Sequence, residues 1–192
     1  MKGMVEIRWH GRGGQGVVTA GEILAEAALE EGKYFQAFPD YGPERMGAPI
    51  KAYTRISDSP IEIHSQITSP DIVVVVDPTL IGLVNVAEGL KDGGTIVLNT
   101  SLSPQEVRVK LGLEGKNVRV FTVDASQIAM KHFGRNIPNT PMLGALVKAT
   151  GLVSLESVIR LTEERLGTKV SENIIQANVQ AIKEAYENVK EG

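Results

Sequence analysis

Cysteine is absent from all 192 positions of the sequence, which removes a whole class of chemistry from this chain. Without thiols the chain forms no disulfide, offers no thiolate to zinc and has no cysteine nucleophile. An iron-sulfur cluster bound through cysteine thiolates is excluded for the same reason. The sequence therefore predicts a purified chain that binds no iron-sulfur cluster and has no visible chromophore.

Long apolar runs and an excess of one charge are also missing. The 20 basic and 23 acidic side chains are interspersed and give a formal net charge of -3 at pH 7, so no basic surface suited to nucleic acid is indicated. No stretch of about 18 consecutive apolar residues could span a membrane, and no apolar leader precedes the first predicted strand. We expect a cytoplasmic protein that contacts neither nucleic acid nor a membrane.

The usual motifs of hydrolysis and phosphoryl transfer are absent as well. The sequence contains neither G-x-x-x-x-G-K-[ST], the phosphate loop of many nucleotide hydrolases, nor G-x-S-x-G, the turn that carries a nucleophilic serine. Its three histidines, His10, His64 and His132, are scattered and lack the spacing of metal ligands. Only His10 is placed where a ligand could reach it. We therefore assign no catalytic residue to this chain.

The strongest motif that is present lies near the start of the chain, at residues 6–21. Apolar and polar side chains alternate first, as in a strand, and Gly11, Gly13 and Gly16 then follow at the spacing G-x-G-x-x-G. A helix is indicated next by apolar side chains at helical spacing: Val17, Ala20, Ile23, Leu24, Ala27 and Ala28. Gly32 should end this helix.

A glycine loop of this kind brings backbone N–H groups and the positive end of a helix close to a phosphate. Two interpretations stay open: phosphate binding, or a tight turn that only allows the helix to pack closely on the sheet. Dinucleotide binding also requires an acidic residue at the end of the second strand. Asp40 is the only nearby candidate, and it follows Pro39 in an irregular loop. This placement disfavours NAD binding.

The order of strand and helix patterns predicts a Rossmann-like α/β fold of three layers, formed by one domain over residues 1–192. The run from Asp71 to Asp77 is almost entirely β-branched, which is typical of a central parallel strand buried on both faces. We also expect a helix from Asp77 to Leu90. Residues 61–64 should pair back on 51–56 as a small hairpin. Further strands are predicted at 33–38, 94–99 and 118–123.

Helices in the second half of the chain are indicated by their capping residues. Ser103 and Asp124 each begin a capping pattern, and the helix after Asp124 should end near Gly134. The C-terminal part is predicted to be helical from Met142, with further helices at 155–166 and after Ser171.

Two polar loops lie between these elements, at residues 39–49 and 134–141. The first combines three prolines with Tyr41, Arg45 and Met46, which are costly side chains for a simple spacer. Because functional side chains concentrate on loops held by a rigid frame, we expect this loop to bind a ligand or to contact a partner.

Four stretches of the sequence together resemble one protein family. They are HGRGGQGVVTA at 10–20, YGPERMG at 41–47, the strand at 71–77 and GLKDGGT at 89–95. These stretches are similar to the gamma subunits of 2-oxoacid:ferredoxin oxidoreductases, most closely to those of the pyruvate enzymes (pyruvate synthase). The resemblance covers most of the chain.

This resemblance implies a multisubunit enzyme that oxidatively decarboxylates pyruvate, delivers the acetyl group to coenzyme A and reduces ferredoxin. In the family, thiamine diphosphate is held by the alpha and beta subunits, and the iron-sulfur clusters lie in beta and delta. A gamma subunit without cysteine agrees with that division of labour. The resemblance thus implies a non-redox subunit that helps to bind coenzyme A and to assemble the complex with alpha, beta and delta.

Fused single-chain relatives use the corresponding domain to hold the phosphate-bearing end of coenzyme A. They do so with the glycine loop, basic residues of the following loop and an Arg-Asn pair; two lysines stand where this chain has Glu44 and Arg45. The positions of this sequence that match are Gly13, Gly14, Gln15, Gly16, Arg45, Arg135 and Asn136.

Two alternatives from other classes stay open on the sequence. One is a separate NAD(P)-dependent reductase, which would use the glycine loop for a dinucleotide. The other is a purely architectural subunit, in which the glycine loop is vestigial.

Overall fold

The computed structural model describes residues 3–40 and 46–192, which form a mixed seven-stranded sheet with helices on both faces. The order across the sheet is β2-β3-β1-β4-β5-β6-β7. Strands β1, β4, β5 and β6 run parallel, while β3 is antiparallel to β1, β2 to β3 and β7 to β6. The strands are β1 Met4–Arg12, β2 Tyr34–Pro39, β3 Pro49–Ser57, β4 Ile72–Val75, β5 Thr95–Asn99, β6 Arg119–Val123 and β7 Lys190–Glu191.

Two apolar cores lie on opposite faces of this sheet. The larger core is formed with helices α1 and α3 to α6, and the smaller one with α2 and the irregular segment 81–91. The sheet therefore lies between two covering layers, which confirms the predicted three-layer α/β fold. The helices are α1 Val17–Glu30, α2 Pro104–Lys110, α3 Ala125–Phe133, α4 Asn139–Thr150, α5 Leu155–Leu166 and α6 Glu172–Asn188.

Strand β4 confirms the prediction of a central strand buried on both faces. Its side chains alternate between the two cores: Ile72 and Val74 join the larger one, and Val73 and Val75 the smaller one. Parallel neighbours β1 and β5 pair with it on both edges. Each buried side chain of this size stabilises the fold by about 1.5 to 3 kcal/mol, so β4 anchors both layers.

The predicted hairpin between residues 51–56 and 61–64 is wrong. Strand β3 has β1 on one edge and β2 on the other, so neither edge is free to accept another strand. The backbone of residues 61–66 is instead held by side chains of the sheet. Gln36 Nε2 of β2 donates to the Ile63 carbonyl at 2.8 Å, and Arg55 Nη2 of β3 donates to the Ser65 carbonyl at 2.6 Å. Strand β2 takes the place beside β3 that residues 61–64 were expected to occupy.

The predicted helix from Asp77 to Leu90 is also wrong, because only one 3-10 turn, Pro78–Leu80, forms there. Gly89 adopts a φ of +73°, and a Cβ at this position would lie 2.0 Å from the Thr68 carbonyl oxygen. The segment therefore lies flat against the sheet. Arg8, buried in β1, donates to the carbonyls of Val86 and Glu88, which a helix would have used internally.

The later helices agree with their capping patterns. Ser103 and Glu106 form both bonds of a capping box at the start of α2, and Asp124 accepts from the Gln127 N–H at the start of α3. Helix α5 has the predicted bounds, and α6 follows Ser171. Helix α4 begins at Asn139, three residues earlier than predicted.

A row of ion pairs joins α1 to α5. Arg165 contacts two carboxylates of α1, with 3.0 Å to Glu22 and 2.6 Å to Glu26. One turn further along α1, Glu30 pairs with Arg160. These carboxylates lie four residues apart and so project from one face of the helix. The charged face of α1 thereby orients α5 against the larger core.

We expect Arg165→Ala to lower the free energy of unfolding by about 1 kcal/mol, because a partly buried guanidinium that bridges two carboxylates is worth more than a single exposed pair. Urea denaturation at low and high salt measures this change, which should shrink as salt screens the charges. Arg160→Ala is the matched control, since Arg160 contacts one carboxylate and is more exposed. A larger loss in the control than in Arg165→Ala would contradict the assigned role of Arg165.

Candidate functional site

The glycine loop lies where β1 ends, at the edge of the sheet formed by the carboxyl ends of the parallel strands. Gly14 and Gly16 have φ values of +89° and +71°, which side chains rarely adopt. Gly11 serves another purpose: a Cβ there would lie 2.3 Å from Val17 Cγ2. The motif thus combines a tight turn with close packing of α1 against β1, as the sequence predicts.

The loop is held in place by hydrogen bonds among its own residues and their neighbours. Gln15 Oε1 accepts from the Arg12 N–H at 2.7 Å, and Gln15 Nε2 donates to Asp77 Oδ2 at 2.6 Å. Gly13 donates from its backbone to the Ala48 carbonyl at 2.9 Å. Both polar atoms of the Gln15 side chain are therefore engaged in shaping the loop, which makes Gln15 a positioning residue.

Asp77, at the end of β4, is the hub of these contacts. It accepts from the Thr79 N–H and hydroxyl and lies 3.3 Å from Arg12 Nε. Burial alone would raise the pKa of Asp77, but hydrogen bonds from Thr79 and Gln15 and the charge of Arg12 hold it below the usual value. Sequence reasoning missed Asp77 as a site residue. The Asp-Pro pair did reveal it as a helix cap, a role that it plays for the 3-10 turn.

Arg12 is a poor anion contact in this arrangement because its guanidinium already has three partners. It donates to the Thr79 hydroxyl and to the Gly47 carbonyl, and it pairs with Asp77. Its charge is therefore balanced inside the site, and a phosphate would have to compete with Asp77 for it.

The amino end of α1 offers a better anion contact. No side chain caps it, and its first turn contains no acidic residue. The backbone N–H groups of Val17 and Val18 make no hydrogen bond within the described ranges 3–40 and 46–192. These groups and the helix dipole place about half a positive charge at this end of α1. The geometry suits a phosphate or carboxylate oxygen.

Arg135 lies in the connection between α3 and α4 and is exposed. It lines a cleft of about 680 Å³ together with Thr19 of α1 and Asn139 of α4. Asn139 Nδ2 in turn approaches the Gly16 carbonyl at 3.4 Å. The structure thus brings Arg135 to the same cleft as the first turn of α1. Asn136 is exposed but does not line this cleft.

Asn139 is the residue of this cleft that sequence reasoning missed. A Cβ on Gly16 would lie 2.4 Å from Asn139 Nδ2, so the glycine also makes room for this side chain. Because 123 positions separate the two residues, no local pattern could have joined them. The helix that carries Asn139 begins earlier than predicted, which hid it inside an expected loop.

Arg45 and Tyr41, predicted from the loop at 39–49, lie outside the described residues. Met46, which belongs to the same predicted loop, is 87% exposed. Its sulfur would lie 2.4 Å from a Cβ on Gly14, which places the methionine side chain directly over the glycine loop. An exposed methionine above the glycine loop leaves an adaptable apolar side chain beside the site.

His10 is buried at the end of β1, and its Nε2 accepts a hydrogen bond from Arg8 Nε at 2.9 Å. Burial, followed by the charges of Arg8 and Lys51, lowers the pKa of His10 to about 3. His10 is therefore neutral near pH 7, with its proton on Nδ1. This histidine serves the packing of the sheet by fixing Arg8, whose Nη2 donates to two carbonyls of the segment after β4.

Neither a metal site nor a membrane span is found in the part of the chain that the structure describes. No group of three or more histidine, aspartate or glutamate side chains there is arranged to hold a metal ion. No helix among those residues combines the length and the apolar character that crossing a membrane requires.

Comparisons with known proteins agree on one family. A family model described as pyruvate ferredoxin/flavodoxin oxidoreductase matches residues 6–188. The common gamma subunit of the pyruvate and ketoisovalerate oxidoreductases of Pyrococcus furiosus is 50% identical over 187 residues, which are 97% of this chain and 98% of the relative. The crystal structure of pyruvate oxidoreductase subunit PORC from Thermotoga maritima superposes with a TM-score of 0.86 at 44% identity, covering 100% of this chain and 99% of that one.

A more distant solved structure shares the fold alone. It is a 2-oxoglutarate:ferredoxin oxidoreductase from Magnetococcus marinus with 2-oxoglutarate, coenzyme A and succinyl-CoA bound. The TM-score is 0.78 at 20% identity, over 97% of this chain and 31% of that one. The fold thus also occurs as one part of a longer chain.

The chain belongs to the pyruvate ferredoxin/flavodoxin oxidoreductase family. Within this family it corresponds to the gamma subunit of pyruvate and related 2-oxoacid:ferredoxin oxidoreductases, and so it is a subunit of an oxidoreductase. The resemblance drawn from the glycine run and the tyrosine loop is thereby confirmed.

The buried, neutral His10 should make the chain sensitive to acid. Its pKa is lower in the folded than in the unfolded chain, so between these two values only the unfolded chain takes up the proton. Stability is therefore lost as the pH falls below about 6.5, the usual histidine value. His10→Gln keeps an acceptor for Arg8 and removes this titration. Between pH 6 and 4 the variant should lose less stability than the wild type, by up to about 1.4 kcal/mol per pH unit.

Urea unfolding of both proteins at a series of pH values measures these slopes. His64→Gln is the matched control, because it makes the same substitution at an exposed histidine. If His10→Gln retained the wild-type slope, another group would be responsible for the loss of stability in acid.

Proposed function

We propose that this chain binds the phosphate-bearing end of coenzyme A within a cytoplasmic pyruvate:ferredoxin oxidoreductase and helps to assemble that complex. In this proposal alpha, beta and delta subunits hold the thiamine diphosphate and the iron-sulfur clusters, and ferredoxin receives the electrons there. The observations that support it most are the uncapped amino end of α1 and the position of Arg135, which lines a cleft together with Thr19 of the first turn of that helix. Asn139 lines the same cleft and approaches the Gly16 carbonyl at 3.4 Å.

The chemistry of these groups suits a phosphate ester. The free N–H groups of α1 are directed donors, and a guanidinium supplies two further donors in one plane. Arg135 forms no ion pair with any residue of the described ranges, so its charge is available to a ligand. The amino end of a helix carries partial positive charge, so it repels a nearby cation unless an anion lies between them. The phosphates of coenzyme A are such anions.

The chain's own residues contribute binding and no electron transfer in this proposal. Thiamine diphosphate would supply the carbanion chemistry of decarboxylation on the partner subunits. The glycine loop, α1 and Arg135 would orient coenzyme A so that its thiol reaches the acyl group there. Coenzyme A bound to the Magnetococcus marinus relative supports the choice of this ligand.

The sheet order argues against the NAD(P)-dependent alternative. A dinucleotide fold places the end of β2 next to the glycine loop, whereas here β3 separates β2 from β1. Asp40, the candidate for a ribose contact, accepts a hydrogen bond from Gln66 Nε2 at 2.6 Å.

The internal contacts of Gln15 and Arg12 favour a second candidate, a purely architectural subunit. In that case the glycine loop only supports the packing of α1, and coenzyme A kinetics should not respond to changes in the cleft. The two candidates therefore differ in a measurable quantity.

Arg135→Ala in the assembled complex should raise the Michaelis constant for coenzyme A by about 10- to 100-fold. A charge-assisted hydrogen bond contributes about 1.5 to 3 kcal/mol, at about 1.4 kcal/mol per tenfold change. Pyruvate-dependent reduction of the clusters without coenzyme A should be almost unchanged, because the oxoacid would be bound by other subunits. Steady-state kinetics and the pyruvate half-reaction, measured side by side, test both statements.

Lys116→Ala provides the control, since Lys116 is also exposed and lies outside the cleft. An unchanged coenzyme A response in Arg135→Ala would exclude the proposed phosphate contact and favour the architectural candidate. Damage to both half-reactions would instead indicate a role of Arg135 in assembly.

A further inference from the structure

The cleft that Arg135 lines extends away from the glycine loop and becomes apolar. Its walls come from α1, the α3–α4 connection, α5 and α6, with a volume of about 680 Å³. Two isoleucines on different walls are largely exposed, Ile137 at 42% and Ile174 at 47%. Leu166 and Val170 line the same space. Large apolar side chains that share one exposed cleft are typical of a contact that becomes buried on binding.

The basic residues of the cleft divide into two groups. His132 and Arg165 are occupied, because His132 contacts Glu184 and Arg165 contacts the carboxylates of α1. Arg135 and Lys169 have no ion-pair partner in residues 3–40 and 46–192, and no acidic side chain lines the cleft. The unbalanced charge of this surface is therefore positive. A complementary partner surface would carry negative charge next to apolar side chains.

We infer that the apolar part of this cleft seats a segment of another subunit of the complex, with apolar side chains against Ile137 and Ile174 and a carboxylate at Lys169. The inference rests on the assembly role proposed above and names the surface that would perform it. Arg135 remains the coenzyme A contact, so the two ends of the cleft have different occupants.

Several properties of the cleft favour a protein segment as its occupant. One exposed isoleucine, Ile137, comes from the α3–α4 connection and the other, Ile174, from the first turn of α6, and both line a cleft that also contains the cations Arg135 and Lys169. Interfaces bury such apolar anchors at their centre and leave charged groups at the rim. A chain that is a subunit of an oxidoreductase needs surfaces of this kind.

The first test compares Ile137→Ser/Ile174→Ser with Ile63→Ser, a substitution of an isoleucine that is 48% exposed and lies outside the cleft. Each tagged chain is co-expressed with the alpha, beta and delta subunits, and the assembled fraction is measured by affinity capture and gel filtration. We expect the double variant to bind its partners at least ~10-fold more weakly, and Ile63→Ser to behave as the wild type. Equal assembly of the double variant and the wild type would overturn the inference.

The second test addresses the charge. Lys169→Glu should weaken assembly, Lys169→Arg should retain it, and Lys183→Glu, at an exposed lysine of α6 outside the cleft, should have little effect. These exposed positions are compatible with folding, which thermal unfolding checks. Equal assembly of Lys169→Glu and Lys183→Glu would contradict the proposed carboxylate contact.

Titration of the isolated variants with coenzyme A separates this inference from the proposed function. If the isoleucine variants assemble normally but bind coenzyme A more weakly, the cleft holds the small ligand and the inference is wrong while the proposed function stands. If the wild-type chain fails to bind coenzyme A, the proposed ligand is wrong, and the assembly data still decide the inference. Self-association of the isolated chain that the isoleucine variants abolish would identify a second copy as the occupant instead.

Discussion

The hydrogen bond from Gln15 Nε2 to Asp77 Oδ2 connects the ends of two neighbouring parallel strands, and the site depends on it. Asp77 also accepts from Thr79 and balances the charge of Arg12, so one carboxylate fixes the loop after β1 and the turn after β4. Because Asp77 is buried, its loss would leave several donors without a partner. The orientation of the α1 amino end follows from this arrangement.

The parts of the fold that depend on local patterns could be predicted from the sequence. The β-branched run before Asp77 specified a buried strand, and the caps at Ser103 and Asp124 specified helices. The segment after Asp77 could not be predicted, because its glycine at position 89 is required by a carbonyl that approaches from residue 68. The position of β2 outside β3 in the sheet could not be predicted either, because strand pairing depends on contacts between residues that are distant in the sequence.

The candidate site shows the same division between local and distant information. Motif matching identified the glycine loop and Arg135, and the structure brings Arg135 to the cleft at the first turn of α1. No motif marked Asn139 or Asp77 as a site residue, and their roles there depend on contacts with Gly16 and Gln15 across the fold. The structure also changes the role of Gln15, whose side chain supports the loop from within. In the proposed function, phosphate recognition depends on Arg135 and on backbone N–H groups of α1, which the sequence indicates only through the glycines.

In the proposed function, the uncapped amino end of α1 receives a phosphate of coenzyme A. Backbone amide spectra of the ¹⁵N-labelled chain test it most directly, recorded during titration with coenzyme A and with pantetheine, which lacks the phosphates. We expect saturable shifts of the Val17 and Val18 amide signals with coenzyme A and none with pantetheine. Unchanged signals at these two residues, with saturable shifts elsewhere on the chain, would contradict it.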